Sequence, residues 1–133
     1  MPRESGGMEI NMKSYTKDEP SSLLSARKLL SYELTITSNI DNFPKKFRHN
    51  LVDRIINITL DIMGNVRYAY NNFDKSEKLN GINKAISECD LLKDILPCVL
   101  DALHPKCSIN HWNLLIDDLL KQLENWKGSL MKK

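Results

Sequence analysis

Glycine and proline are scarce in this chain, five of each in 133 residues. Long irregular loops are therefore not expected, nor is a glycine-rich turn that cradles phosphate. Cysteine occurs three times, at Cys89, Cys98 and Cys107. That odd count shows no disulfide framework, and a reducing cytoplasm is the simplest compartment. No apolar run approaches the ~18 residues of a membrane span. The first residues are polar, which reads as the lack of a secretory signal. A strong charge of one sign is also missing. The net charge is +2, too small by itself to argue for nucleic acid.

What is present is ordinary for one globular domain: 41% apolar and 27% charged residues. The charge is unevenly spread. Residues 45–73 carry five bases and two acids, a local +3, whereas residues 74–104 carry four bases and six acids. Residues 1–20 hold Gly6-Gly7, Pro2 and Pro20 and little apolar periodicity, so they read as a disordered tail. Met8 and Met12 read as candidate alternative starts within it. Residues 21–133 form the folded domain.

Four helices follow from the apolar spacing. The first begins at Ser21 or Ser22, read as N-caps, and carries Leu23, Ala26, Leu29, Leu30, Leu34, Ile36 and Ile40 on one arc, with Glu33 near its centre. Asn42-Phe43-Pro44 breaks the pattern, and Pro44 suits the first turn of a second helix running to about Tyr70. That helix has one stripe of Phe47, Leu51, Ile55, Ile58, Ile62, Val66 and Ala69, and beside it another of Val52, Ile56, Leu60 and Met63. Together they span about 220°, more than the roughly 100° of a one-sided helix. Such a helix needs cover on two sides, from a central place in the bundle or from another subunit. Asp74 with Glu77 resembles a capping box for a third helix over about 75–103, in which Pro97 predicts a kink or break. Ser108 caps a fourth helix over about 109–131, whose stripe includes Trp112, Ile116, Leu119, Leu123 and Trp126. Short turns between long amphipathic helices predict an all-α, antiparallel up-down-up-down four-helix bundle.

Little in the chain suggests catalysis. A di-iron bundle needs Glu-x-x-His pairs, and the sequence has none. No Gly-rich phosphate loop or nucleophile signature appears. His104, Cys107 and His111 have zinc-ligand types but are one short of a structural site, so they read as a turn with an exposed histidine, and no metal or cofactor is expected. Cys89 and Cys98 lie about 180° apart on a helix and read as small buried residues. Glu33, a carboxylate on an apolar arc, needs a partner or a raised pKa, and Arg54 at the edge of helix 2 is the candidate. The remaining feature is the base-rich start of helix 2, Lys45, Lys46, Arg48 and His49, followed by Arg54 and Arg67. A helix start also favours anions through its free N–H groups. These six residues are the candidate nucleic-acid and partner-binding site, against the plainer reading of a solvated helix start.

The stretch F-P-K-K-F-R-H-N-L-V-D-R-I-I-N-I-T-L-D-I-M-G-N-V, Phe43 to Val66, resembles the second helix of the accessory variability determinants of diversity-generating retroelements. It is also similar to the related four-helix proteins encoded in intervening sequences of 23S ribosomal RNA genes. Phe43-Pro44-Lys45, Leu51 and Asp53-Arg54-Ile55 carry the likeness. Trp126-Lys127-Gly128-Ser129 resembles the close of the family's last helix. The resemblance implies a four-helix bundle assembled as a homo-oligomeric ring, a pentamer in the accessory determinants. It implies a cytoplasmic, non-enzymatic factor that binds the reverse transcriptase and RNA or DNA and supports mutagenic retrohoming. For the ribosomal relatives it implies instead an oligomer with structural or regulatory protein partners only. The chain departs from the accessory determinants in its modest charge and in Leu96-Pro97-Cys98, where the family usually carries a base.

Overall fold

A computed structural model describes residues 19–132. They form four α-helices: α1 (Ser21–Thr37), α2 (Asp53–Asn71), α3 (Lys75–Leu103) and α4 (Ile109–Met131). There is no strand among the described residues, so the chain is all-α. No helix among them is long and apolar enough to cross a membrane. The expected disordered tail lies outside the described residues except for its last two. Of those, Glu19 accepts a hydrogen bond from Arg67 at 2.9 Å and lies 3.7 Å from Arg27.

The N-cap of α1 is Pro20 rather than a serine. Ser21 and Ser22 therefore stand in the first turn. The helix also stops short of Ile40, because its last turn is claimed by other acceptors and donors. The Thr37 hydroxyl donates to Glu33 O at 2.7 Å, and the Asn42 side-chain amide donates to Ile36 O at 3.1 Å. Ile40 and Leu34, expected on the buried arc, are 55% and 47% exposed.

The start of α2 differs more. Pro44 lacks an N–H and sits at ψ 151°, so no α-turn opens there. The chain instead makes a 3-10 turn at Lys45–Phe47 and a π-turn at Arg48–Val52, and only then the α-helix. Phe43 is fixed beneath this segment, 1% exposed and edge-on to Trp112 with ring centroids 6.2 Å apart.

Local caps set α3 and α4. The Asp74 carboxylate accepts from Glu77 N–H at 3.2 Å, and Ser108 Oγ accepts from His111 N–H at 3.0 Å. Glu77 does not complete the reciprocal half of a capping box; its carboxylate accepts from the Tyr68 hydroxyl at 2.5 Å. Helix α3 runs through Pro97 without a break. Proline inside a helix costs about 3 kcal/mol, and buried Leu92, Leu96 and Val99 around it hold the segment on the core. The helix ends at His104, whose left-handed backbone (φ 46°) lets its N–H reach Leu100 O at 3.1 Å, with Pro105 preventing continuation.

Helix α1 packs on α2 and α4, and α3 packs on the same two. Residue numbers run in opposite senses across three of these contacts. Ser25 meets Asp118, whereas Tyr32 reaches Ser108 and Glu33 reaches Trp112. Glu19 meets Arg67 and Glu33 meets Thr59. Lys78 meets Ala69 and Glu88 meets Asn65. The α2–α3 contact is close at Gly81, where a Cβ would stand 2.8 Å from Asn65 O.

Glu33 is the polar centre of this core, with no exposed surface. Its partner is not Arg54, which is exposed. Oε1 accepts from Thr59 Oγ1 at 2.5 Å and Oε2 from Trp112 Nε1 at 2.9 Å. Burial raises its pKa to about 7, against the opposing effect of these two donors. A neutral carboxyl needs no cation, which is why the core tolerates it. Cys89, also fully buried, has its thiol pushed up to about 12, chiefly by desolvation.

Candidate nucleic-acid and partner interface

The basic segment lies where α1 ends and α2 begins. Lys45, Lys46, Arg48, His49 and Arg54 are all exposed. Their backbone is not the regular helix start expected of them. The 3-10 and π-turns place the first four on a tight connector, with Arg54 in the first turn of α2, and π-turns often mark functional segments. Lys46 Nζ stands 5.3 Å from the centroid of the Phe47 ring. His49 Nδ1 lies 3.2 Å from Asp53 Oδ2, so one acid is already committed within the cluster.

Arg67 does not belong to it. It is 13 residues beyond Arg54 on the same helix, about 20 Å at 1.5 Å per residue. Its guanidinium bonds Glu19 at 2.9 Å and lies 5.6 Å from the Tyr70 ring centroid. Its role is to hold the entry of α1 onto α2.

A second connector completes the surface. Asn42 is 5% exposed, and its side-chain oxygen accepts from the backbone N–H of Lys106 at 2.9 Å and of Cys107 at 3.1 Å. Through its amide on Ile36 O, the same side chain ties the end of α1 to the α3–α4 turn. Residues 104–108 and 38–52 are thereby one end of the molecule. Lys106 joins the group: these two segments hold four bases (Lys45, Lys46, Arg48, Lys106) against one acid (Asp41), a local +3, and Arg54 follows beside Asp53 at the start of α2. The chain's three histidines, His49, His104 and His111, all lie at this end. His104 and His111 are exposed and Cys107 is partly buried. Among the described residues no three His, Cys, Asp or Glu side chains form a metal-sized group. His111 stands edge-on to Tyr32 at 4.9 Å. Cys98, expected to be buried, is exposed, since it lies on the far side of α3 from Cys89.

Chemically, this end offers flexible ammonium and guanidinium groups. It can attract an extended polyanion and make several salt-like contacts at once. No protein-family model, curated relative or solved structure matches the chain.

Proposed function

We propose that the protein is a non-enzymatic binding factor that engages RNA, or DNA, through the base-rich end of an antiparallel up-down-up-down four-helix bundle. The observation that carries this reading is the Asn42 clamp, which joins Lys106 to the Lys45–Arg54 connector. Two otherwise unrelated turns thereby present one cationic surface. The opposed residue numbering across three helix contacts supports the bundle topology. The likeness of Phe43–Val66 to the accessory variability determinants supplies the context: a cytoplasmic homo-oligomer, a pentamer in that family, that brings nucleic acid to a reverse transcriptase during mutagenic retrohoming.

Salt titration tests the reading. If about five cations contact a single strand, affinity should fall about 100-fold between 50 and 200 mM salt. Charge reversal at Lys45, Lys46 and Arg48 should flatten that slope and weaken binding at low salt at least about tenfold. Arg67→Ala should leave RNA affinity unchanged. An unmodified chain that fails to bind RNA at low salt overturns the proposal.

A second reading is favoured by the partly uncovered apolar strip of α2, where Leu60 is 46% exposed and Ile56 and Met63 are half-buried. It describes an oligomer with protein partners only, as in the ribosomal intervening-sequence proteins. A stable oligomer without RNA affinity would select it.

A further inference from the structure

Glu33 stands one helical turn before the end of α1 at Thr37, and none of its surface is exposed. Its hydrogen-bond partners among the described residues, Thr59 from α2 and the Trp112 indole from α4, carry no charge. A buried carboxyl without a cation ionises reluctantly. The other titratable groups around it leave it alone in this respect. Cys89 faces it from α3, with a thiol pushed up to about 12, chiefly by desolvation, and so neutral. On α1 itself Tyr32 gives its hydroxyl proton to Ser108 O at 2.9 Å. His111 is exposed with its ring against Tyr32. His49, Asp53 and Arg54 on the α2 side are exposed as well.

Two chains of contact lead from this carboxyl to the basic connector. The first runs through the indole. Trp112 Nε1 donates to Glu33 Oε2 at 2.9 Å, and the same residue meets Phe43 edge-on with ring centroids 6.2 Å apart. The second runs through the last turn of α1. The Thr37 hydroxyl donates to Glu33 O, the Asn42 amide donates to Ile36 O, and the Asn42 oxygen accepts from Lys106 and Cys107 N–H. Between residues 38 and 52 only Asn42, Phe43 and Val52 are buried. The backbone there makes 3-10 and π-turns instead of a continuous α-helix. A segment with so few buried anchors opens more readily than the helices it joins. Release of Asn42 and Phe43 frees the two groups bonded to Glu33, the end of α1 and the Trp112 ring.

We propose that Glu33 is a proton-operated latch on the basic connector: with its proton the carboxyl holds Asn42 and Phe43 closed on the core, and loss of the proton lets them open. The union of Lys106 with the Lys45–Arg54 segment thereby depends on pH near neutrality, whether or not nucleic acid binds there. In the closed state the pKa is about 7, and opening to water returns it toward the ordinary 4.5. The closed state is therefore favoured most at low pH, and this advantage is lost as pH rises through about 7. From pH 5 to 8 the opening equilibrium should rise on the order of 70-fold. Amide hydrogen exchange of the full chain and of Glu33→Gln, followed by NMR over that range, tests the latch. Glutamine still accepts from Trp112 and donates to Thr59 but has no proton to lose. The exposed histidines and the intrinsic pH dependence of exchange are common to both chains and cancel in their ratio. The ratio of wild-type to E33Q rates should climb by that factor at the amides of Phe43, Phe47, Lys106 and Cys107, all hydrogen-bonded at this end. These amides should also exchange faster than the most protected ones of the helices. A second readout needs no variant: the Trp112 indole N–H resonance should titrate near pH 7 in the wild type while that of Trp126 stays fixed. A Trp112 resonance that does not titrate overturns the proposal. So does a pH-independent ratio at the connector amides, or one that climbs only at the slowest amides, since Glu33 would then meet water only when the whole fold opens.

Discussion

Glu33 is a carboxyl group in a core with no cation near it, and its surroundings are satisfiable in two protonation states. When ionised, it accepts from Thr59 and Trp112. When neutral, it can donate to Thr59 Oγ1, whose own proton then turns to Ile55 O, 3.4 Å away. The folded pKa of about 7 stands above the ordinary 4.5, so the folded chain holds this proton more tightly than the unfolded one. The contribution of Glu33 to stability is therefore full below about pH 4.5 and is lost as pH rises through about 7. The shift corresponds to a change of about 3 kcal/mol. Glu33→Gln should remove that slope, because the amide can still accept from Trp112 and donate to Thr59. Denaturant melts from pH 4.5 to 8 should show the wild type losing stability relative to E33Q across this window. Parallel curves would mean that Glu33 does not titrate in the folded state. The burial of Glu33 was legible from its place on the apolar arc of α1. Its partners were not, because Thr59 and Trp112 are 26 and 79 residues away, and Arg54 was merely the nearest base by helical phase.

At the scale of the elements, what could be read in the sequence was what local chemistry decides. The starts of α3 and α4 follow from Asp74 and Ser108, each accepting an N–H three residues ahead. The start of α2 is decided by Asn42, which bonds partners 64 and 65 residues distant, and by Phe43 packed on Trp112. No local pattern carries that information, so Pro44 looked like the first turn of a regular helix. The same division holds for the candidate site. The bases of residues 45–54 were visible as a run, but their union with Lys106 depends on the clamp. Arg67 was grouped with them only by charge. Glycines show how packing reverses a local rule. Alanine normally stabilises a helix over glycine by up to about 1 kcal/mol. Gly64 has nothing within 4 Å of a built Cβ, so Gly64→Ala should raise the melting temperature. At Gly81 the added methyl meets Asn65 O at 2.8 Å and Ala69 Cβ at 3.2 Å. Backbone cannot move aside as a side chain does, so Gly81→Ala should destabilise by about 1–3 kcal/mol. Matched thermal melts of the two variants check the opposite signs; stabilisation by both would show that α2 and α3 are more loosely packed than the contact implies.

For the molecule as a whole, the question is what covers the outer shoulder of α1 and α2. Glu33 reaches Thr59 across this contact, and the next residue on each helix, Leu34 and Leu60, is 47% and 46% exposed. Ile56 and Met63 flank Leu60 at helical spacing and are only half-buried. The second apolar stripe of α2 is thus covered within the chain at Val52, which is 6% exposed, half-covered at Ile56 and Met63, and least covered at Leu60. If this shoulder is the interface of the proposed homo-oligomer, a charge at its middle acts on assembly and not on folding. Leu60→Glu exchanges an exposed side chain for another that water tolerates, so the fold of the protomer should lose less than about 0.5 kcal/mol. Burying that carboxylate between subunits without a partner would cost far more. Light scattering should therefore report an oligomer for the wild type and a monomer for L60E, with helical circular dichroism unchanged. The consequence extends to the basic end. Each subunit contributes a local +3, and joining several of them raises apparent affinity for a long strand by valency alone. L60E should then weaken binding to a long RNA much more than to one spanning a single protomer. Equal weakening of both would mean that the shoulder acts on the binding surface itself, and an unchanged oligomer mass would place the subunit interface elsewhere.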